Sequence, residues 1–229
     1  MSWNDYLFWY AQDRGGTYFG RHSEDYGGAL LLEDPKGPIL ICTKITYSGR
    51  YGTYRDVSAA ARVELERPYT LRIKKQSALR GGVNMVLGGL ERGAQALGRK
   101  ADLTPDYGVP ELAEDRGIHT NEPEFTRWVF QSRELRALLE AWPDYKLQVD
   151  PMGPMGGWHL VEALDTLEHD PDFLGEALDR YGRPLDLEGQ MASYRSSRFS
   201  EQLDALVELA KAARDAVTAW PMPMEIPKL

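Results

Sequence analysis

The chain has 229 residues, of which 42% are hydrophobic and 27% charged, with a formal net charge of −8; this is the profile of a globular protein with enough chain to bury a sizeable core. No run of eighteen apolar residues occurs, so the sequence offers no helical membrane span, and the acidic balance argues against non-specific nucleic-acid binding. The one cysteine, Cys42, rules out an internal disulfide and fits a reducing, cytoplasmic setting, as does a first stretch without the basic and apolar regions of a signal peptide.

Residues 1–27 are rich in rings. Tyr6, Trp9, Tyr10 and Asp13 share a helical face, which predicts a short helix over Asn4–Arg14 ended by Gly15-Gly16. Ala29-Leu-Leu-Leu32 and Pro38–Ile45 flank Glu33-Asp-Pro-Lys-Gly37, where proline presets φ and glycine takes the strained position; a β-hairpin is expected. Cys42, inside the second of these runs, reads as a small core residue. Tyr47 to Arg55 forms another turn between extended tyrosines. Ala61–Arg67 and Tyr69–Lys75 alternate apolar with charged residues, the mark of strands with one wet face, and Pro68 between them implies a break or an edge.

Val83, Leu87, Leu90, Ala94 and Leu97 step helically, but Gly88, Gly89 and Gly93 interrupt them at roughly 1 kcal/mol each relative to alanine. An irregular helix is expected there, with a lid over 80–98 as the functional alternative. Residues 99–123 are polar, acidic and proline-containing, a candidate loop between two lobes, 1–98 and 118–229, of a single α+β domain. From Phe125 onward the pattern predicts strand, helix, strand, turn, strand. Phe125, Trp128, Val129 and Phe130 have high β propensity. Ser132 caps a helix carrying Leu135, Leu138, Leu139 and Trp142 on one face. Tyr145, Leu147 and Val149 alternate with Lys146, Gln148 and Asp150, and Trp158 to Glu162 follows a glycine-rich turn. Asp172–Tyr181 reads as a short helix and 182–198 as a polar loop. Phe199, Leu203, Leu206, Ala210, Ala213, Val217 and Trp220 repeat at helical spacing up to Pro221. Their alanines suit packing on a sheet better than a zipper between copies. The final Pro221–Leu229 stretch reads as extended.

The sequence therefore predicts an α+β fold: a mostly antiparallel sheet or sheets, a central β-α-β-β unit, and a long C-terminal amphipathic helix packed on the sheet.

Chemistry is harder to find. The four histidines lack His-Glu-x-x-His or other metal-ligand spacing, so neither a metal nor a cofactor is expected. Gly-x-Ser-x-Gly and P-loop patterns are missing as well. His159 with Asp150 is the one acid–base pair the expected hairpin would bring together, because a carboxylate beside a histidine orients it as a general base. The charge is unevenly spread: residues 44–80 carry nine Lys/Arg against three Asp/Glu, and 101–190 carry seven against twenty. Arg50, Arg55, Arg72 and Lys74 are thus the candidates for holding an anionic ligand. Tyr47, Tyr51 and Tyr54 among Arg50 and Arg55 resemble a base-stacking surface, yet no RNP-type motif accompanies them, and nucleic acid is not the expected partner. With no catalytic signature, separated charge and aromatic and Met-rich termini, the expectation is a non-catalytic binding protein whose partner is another protein. The alternatives are a small-ligand domain or enzyme acting on an anionic metabolite, and a homodimer joining basic to acidic faces.

Overall fold

A computed structural model of the chain describes residues 2–22, 27–48, 52–75, 107–109, 112, 116–153, 157–166 and 183–219. The helices expected at 83–97 and 172–181, and the 221–229 stretch expected to be extended, lie outside these residues.

Eight strands form one antiparallel sheet in the order β1-β2-β3-β4-β8-β7-β5-β6. They are β1 (Thr17–Phe19), β2 (Ala29–Leu32), β3 (Ile39–Ser48), β4 (Gly52–Leu65), β5 (Leu71–Lys75), β6 (Arg116–Thr120), β7 (Lys146–Pro151) and β8 (Gly157–Thr166). The described residues also hold five helices: α1 (Trp3–Arg14), α2 (Pro123–Val129), α3 (Arg133–Ala141), α4 (Leu187–Ser196) and α5 (Phe199–Thr218). The α+β class and the long helix on the sheet are as the sequence predicts. Strands from both halves of the chain interleave, since β4 pairs with β8 from Asp56↔Thr166 to Leu65↔Gly157. No described helix is long and apolar enough to cross a membrane.

One face of the sheet makes the core. Leu30, Ile41, Ala59, Ala61, Val63, Leu71, Ile73, Leu147, Val149, Val161 and Ala163 are all buried on it. Helix α5 lies over β4 and β8, with small residues on both surfaces allowing close approach. It is buried nearly all round, from Phe199 and Leu203 to Ala216 and Val217, because α2, α3 and α4 pack on its other sides and α1 meets its first turns. Helix α1 is held at both ends: Ser2 and Asp5 form a reciprocal capping box, and Gly15 takes the left-handed conformation (φ 68°) that closes the last turn. Its Trp3, Tyr6 and Tyr10 rings meet Phe199 at centroid distances of 5.9, 5.3 and 6.4 Å.

Three local expectations are corrected. The aromatic run at 125–130 is helix rather than strand for most of its length, because Pro123 at the first helical turn and the Thr126 side chain, bonded to the Glu122 carbonyl at 2.9 Å, favour a helix start. The β-α-β-β unit survives with β6 as its first strand. That strand falls inside the expected 99–123 loop. Its Arg116 is 3% exposed, and its guanidinium donates to the carbonyls of Leu139, Trp142 and Tyr145, closing the C-terminus of α3. The expected loop at 182–198 contains α4, capped by the Asp186 carboxylate on the Gly189 N–H at 2.9 Å.

Candidate functional site

The hairpin of β7 and β8 pairs Asp150 with Leu160 and Pro151 with His159. Neighbouring positions on a strand face opposite ways, so Asp150 and His159 project from opposite faces of the sheet. The acid–base pair does not form. His159 is fully buried. Its Nδ1 lies 2.7 Å from the Gly157 carbonyl and its Nε2 lies 2.9 Å from the Tyr69 N–H. A carbonyl only accepts, so Nδ1 carries the proton and Nε2 takes the backbone donor. The imidazole joins β8 to the start of β5 and presents no open nitrogen. Asp150 is bound instead to Arg72 at 3.2 Å on the other face. Lys74 projects from that same outer face two residues on, beside Gly117 of the β6 edge. Arg55 pairs in register with Ile45 in the β3–β4 hairpin, its side chain lying outside what is described, as does Arg50 entirely. Cys42 is half-buried on the outer face rather than in the core.

A cleft of about 420 Å³ opens where β4 turns into β5. Leu65, Pro68, Tyr69, Phe125 and Val217 give it apolar walls, and Glu64, Glu66, Glu122 and Glu124 stand around it with Arg67. Tyr69 and Phe125 meet edge to face at 4.5 Å. The Tyr69 hydroxyl is 2.9 Å from the Thr126 hydroxyl, itself 2.8 Å from that of Thr120. Burial, outweighing those hydrogen bonds, pushes the Tyr69 phenol up to about 12, so it serves as a neutral structural group and not as a base. Asn121 ties the segment before β5, donating to the Pro68 carbonyl at 2.9 Å and accepting from the Thr70 N–H at 2.8 Å. Four carboxylates against one guanidinium make the cleft unsuited to an anion.

The second feature is the outer face of the sheet. Every described helix packs on the inner face, directly or through α5. On the outer face Phe19, Leu40 and Trp158 are 55%, 41% and 46% exposed, with Leu31 and Leu160 half-buried among them. The Arg62 guanidinium sits 4.1 Å over the Trp158 ring, a cation–π contact on this face. Across β7 and β5 the same face turns ionic: Gln148 donates to Glu162, Arg72 pairs with Asp150, and Lys74 and Lys146 are exposed.

Sequence reasoning overlooked Phe19, Leu40 and Trp158 as functional residues. For Leu40 the signal was present in β2 and β3. Ala29-Leu-Leu-Leu32 and Ile39-Leu-Ile-Cys42 are apolar at every position, a pattern that belongs to strands covered on both faces, whereas β5 and β7 alternate apolar with polar.

Among the described residues no group of His, Cys, Asp or Glu is placed to hold a metal ion. No family model matches the chain, and neither a curated protein nor a solved structure matches it.

Proposed function

We propose that this chain is a non-catalytic, soluble, cytoplasmic interaction protein that docks another protein on the outer face of its sheet. The observation that carries this reading is the mismatch in β2 and β3: both strands are apolar on two faces, and the described helices cover one. Leu40 of β3 is thereby left on the surface, and Phe19 of β1 and Trp158 of β8 are exposed on the same face; exposed apolar side chains that share one face support an interaction site. A sheet face is broad and shallow, which suits a protein better than a small molecule.

On this reading Leu31, Leu40 and Trp158 suit an apolar part of the partner, and Arg62 over Trp158, with Lys74 and Lys146 further across the same face, suits carboxylates at its edge. Arg72 and Lys74, the anion-binding candidates of the sequence, thus contribute to a charged rim. The competing reading, an enzyme or domain for an anionic metabolite, draws little from the geometry. His159 is enclosed, Asp150 is on the other side of the sheet, and the cleft is ringed by glutamates. The lid expected at 80–98 lies outside the described residues.

A photo-crosslinking amino acid placed at Leu40, at Trp158 and, as a control, at the exposed Glu208 of α5 tests the proposal in the cells of origin. The expected result is one discrete protein adduct from Leu40 and Trp158, missing from Glu208 and weakened by Arg62→Glu. Equal labelling from Glu208, or no adduct from the sheet face, overturns it. An adduct only to a second copy of the chain replaces it with the homodimer.

A further inference from the structure

The cleft at the β4–β5 turn lies on the helix side of the sheet, and docking on the outer face makes no use of it. We propose that it binds a small organic cation: an ammonium or guanidinium group carried on an apolar body.

Its size and walls suit a small molecule. A volume of about 420 Å³ falls within the range of roughly 300–1,000 Å³ found for small-molecule sites. Leu65 ends β4, Phe125 stands in the first turn of α2 and Val217 in the last turn of α5. Tyr69 is 2% exposed and backs Phe125. Phe125, half-buried, is the ring left accessible. These walls are set before a ligand arrives. The Tyr69 N–H is held by His159 and its hydroxyl by Thr126, while Asn121 ties Pro68 and Thr70 on the same segment. A site already in its bound shape loses little affinity to ordering.

Charge then selects the ligand. Glu122 is half-buried, and Glu66 and Glu124 are exposed. Among the described residues, none of these three carboxylates makes a side-chain hydrogen bond or an ion pair. Burial raises the Tyr69 phenol, and the Glu122 charge adds to the rise, so its field reaches into the wall. Arg67 is the one cation of the lining and leaves the balance acidic. A cation seated here gains carboxylate partners and an aromatic neighbour in Phe125. A compact metal ion fits less well, because it needs oxygen ligands converging on one point, and no group of His, Cys, Asp or Glu among the described residues offers that. An apolar body fills the space between the carboxylates.

Calorimetric titration of the full chain tests the charge and the body separately. The probes are phenethylammonium and phenethylguanidinium, with phenethyl alcohol, phenylacetate and methylammonium as counterparts lacking the charge, reversing it or lacking the body. The expected result is saturable binding of at least one of the two phenethyl cations, several-fold tighter than any counterpart. Amide shifts of Leu65, Tyr69 and Phe125 should move with it. Glu122→Gln and Glu124→Gln should each weaken binding several-fold. Arg67→Gln should tighten it, a gain that a misfolded variant cannot imitate. Glu208→Gln, which removes an exposed α5 carboxylate outside the cleft, should leave it unchanged. Phenethyl alcohol binding as tightly as the cations overturns the proposal, and so does tighter binding of phenylacetate. No saturable binding of either cation at millimolar concentration overturns it as well. A phenylalanine–arginine dipeptide blocked at both ends that binds several-fold tighter than both cations assigns the cleft to a basic protein segment and removes the small molecule.

Discussion

His159 is fixed in one tautomer by two backbone groups, and its value to the protein is structural. Replacement by leucine keeps much of the volume but leaves the buried Tyr69 N–H without its acceptor and the Gly157 carbonyl without its donor. Leaving a buried polar group unsatisfied costs about 1–3 kcal/mol, so His159→Leu should lower the urea midpoint while leaving crosslinking from Leu40 unchanged. A variant of undiminished stability would show that these bonds do not contribute. From the sequence the residue looked chemical because His159 and Asp150 are both polar and both belong to one hairpin. Which face each occupies depends on register, and the register Asp150↔Leu160 separates them. A shift of a single residue would have brought them to the same side, and no local property of either strand reveals it. Arg116 was hidden for a different reason. An arginine in a polar stretch reads as surface, and only the three carbonyls converging on it in space explain its burial.

At the scale of elements, the turn between β2 and β3 is tied to α5 by charge. The Arg214 side chain, 5% exposed, reaches Asp34 at 2.8 Å and Asp215 at 3.0 Å, while Lys36 holds Asp215 at 2.7 Å. Burial opposes ionisation of both carboxyls. For Asp34 it is outweighed by the Lys36 N–H and Arg214, and for Asp215 by Lys36 and Arg214, so both lie below the usual carboxylate range. The native state then binds these protons less readily than the unfolded chain. The resulting stability is complete above the unfolded value of about 3.9 and is lost as pH falls through the lower folded values. Arg214→Leu should lower stability at pH 7 and flatten the decline below about pH 4; a parallel decline in both proteins would remove Arg214 as its cause. None of this pairing is visible in sequence, since Asp34 and Arg214 are far apart in the chain. The elements themselves were largely legible where one periodicity ruled: the β2–β3 hairpin from Asp-Pro and Gly37, and α5 from its regular apolar steps. They were misread where two signals competed. At 125–130 bulky rings favoured a strand, but a proline at the helix start and the tertiary contacts of Val129 and Phe130 decided for helix.

For the molecule as a whole, joints between helices and between helices and the sheet are closed by tyrosines. Tyr10 of α1 donates to Asp204 of α5 at 2.7 Å, Tyr145 donates to the Gln202 carbonyl at 3.0 Å, and Tyr69 meets Thr126 of α2 at 2.9 Å. Tyr6 and Tyr194 bring α1 against α4, with ring centroids 6.3 Å apart. Burial is the main cause raising Tyr10, Tyr145 and Tyr194 above the ordinary phenol range, and it carries Tyr69 to about 12. A raised folded value means that the unfolded chain gives up the proton first. The stability these groups contribute is therefore intact below the unfolded value of about 10 and is drained as pH climbs from there through the folded values. Because the four rings sit at different joints of one core, ionising any of them in place would open a contact shared with α5 or α2. The phenols should consequently ionise with global unfolding rather than one by one. A phenol open to solvent titrates near pH 10, and any such titration should leave the far-UV circular dichroism unchanged. The remaining phenolate absorbance should rise at higher pH in step with loss of the helical signal. Tyr145→Phe should cut the height of that second step and remove a hydrogen bond to α5, shifting unfolding only slightly. If all the phenolate absorbance instead develops near pH 10 while the fold persists, these tyrosines are open to solvent and do not close the joints between layers.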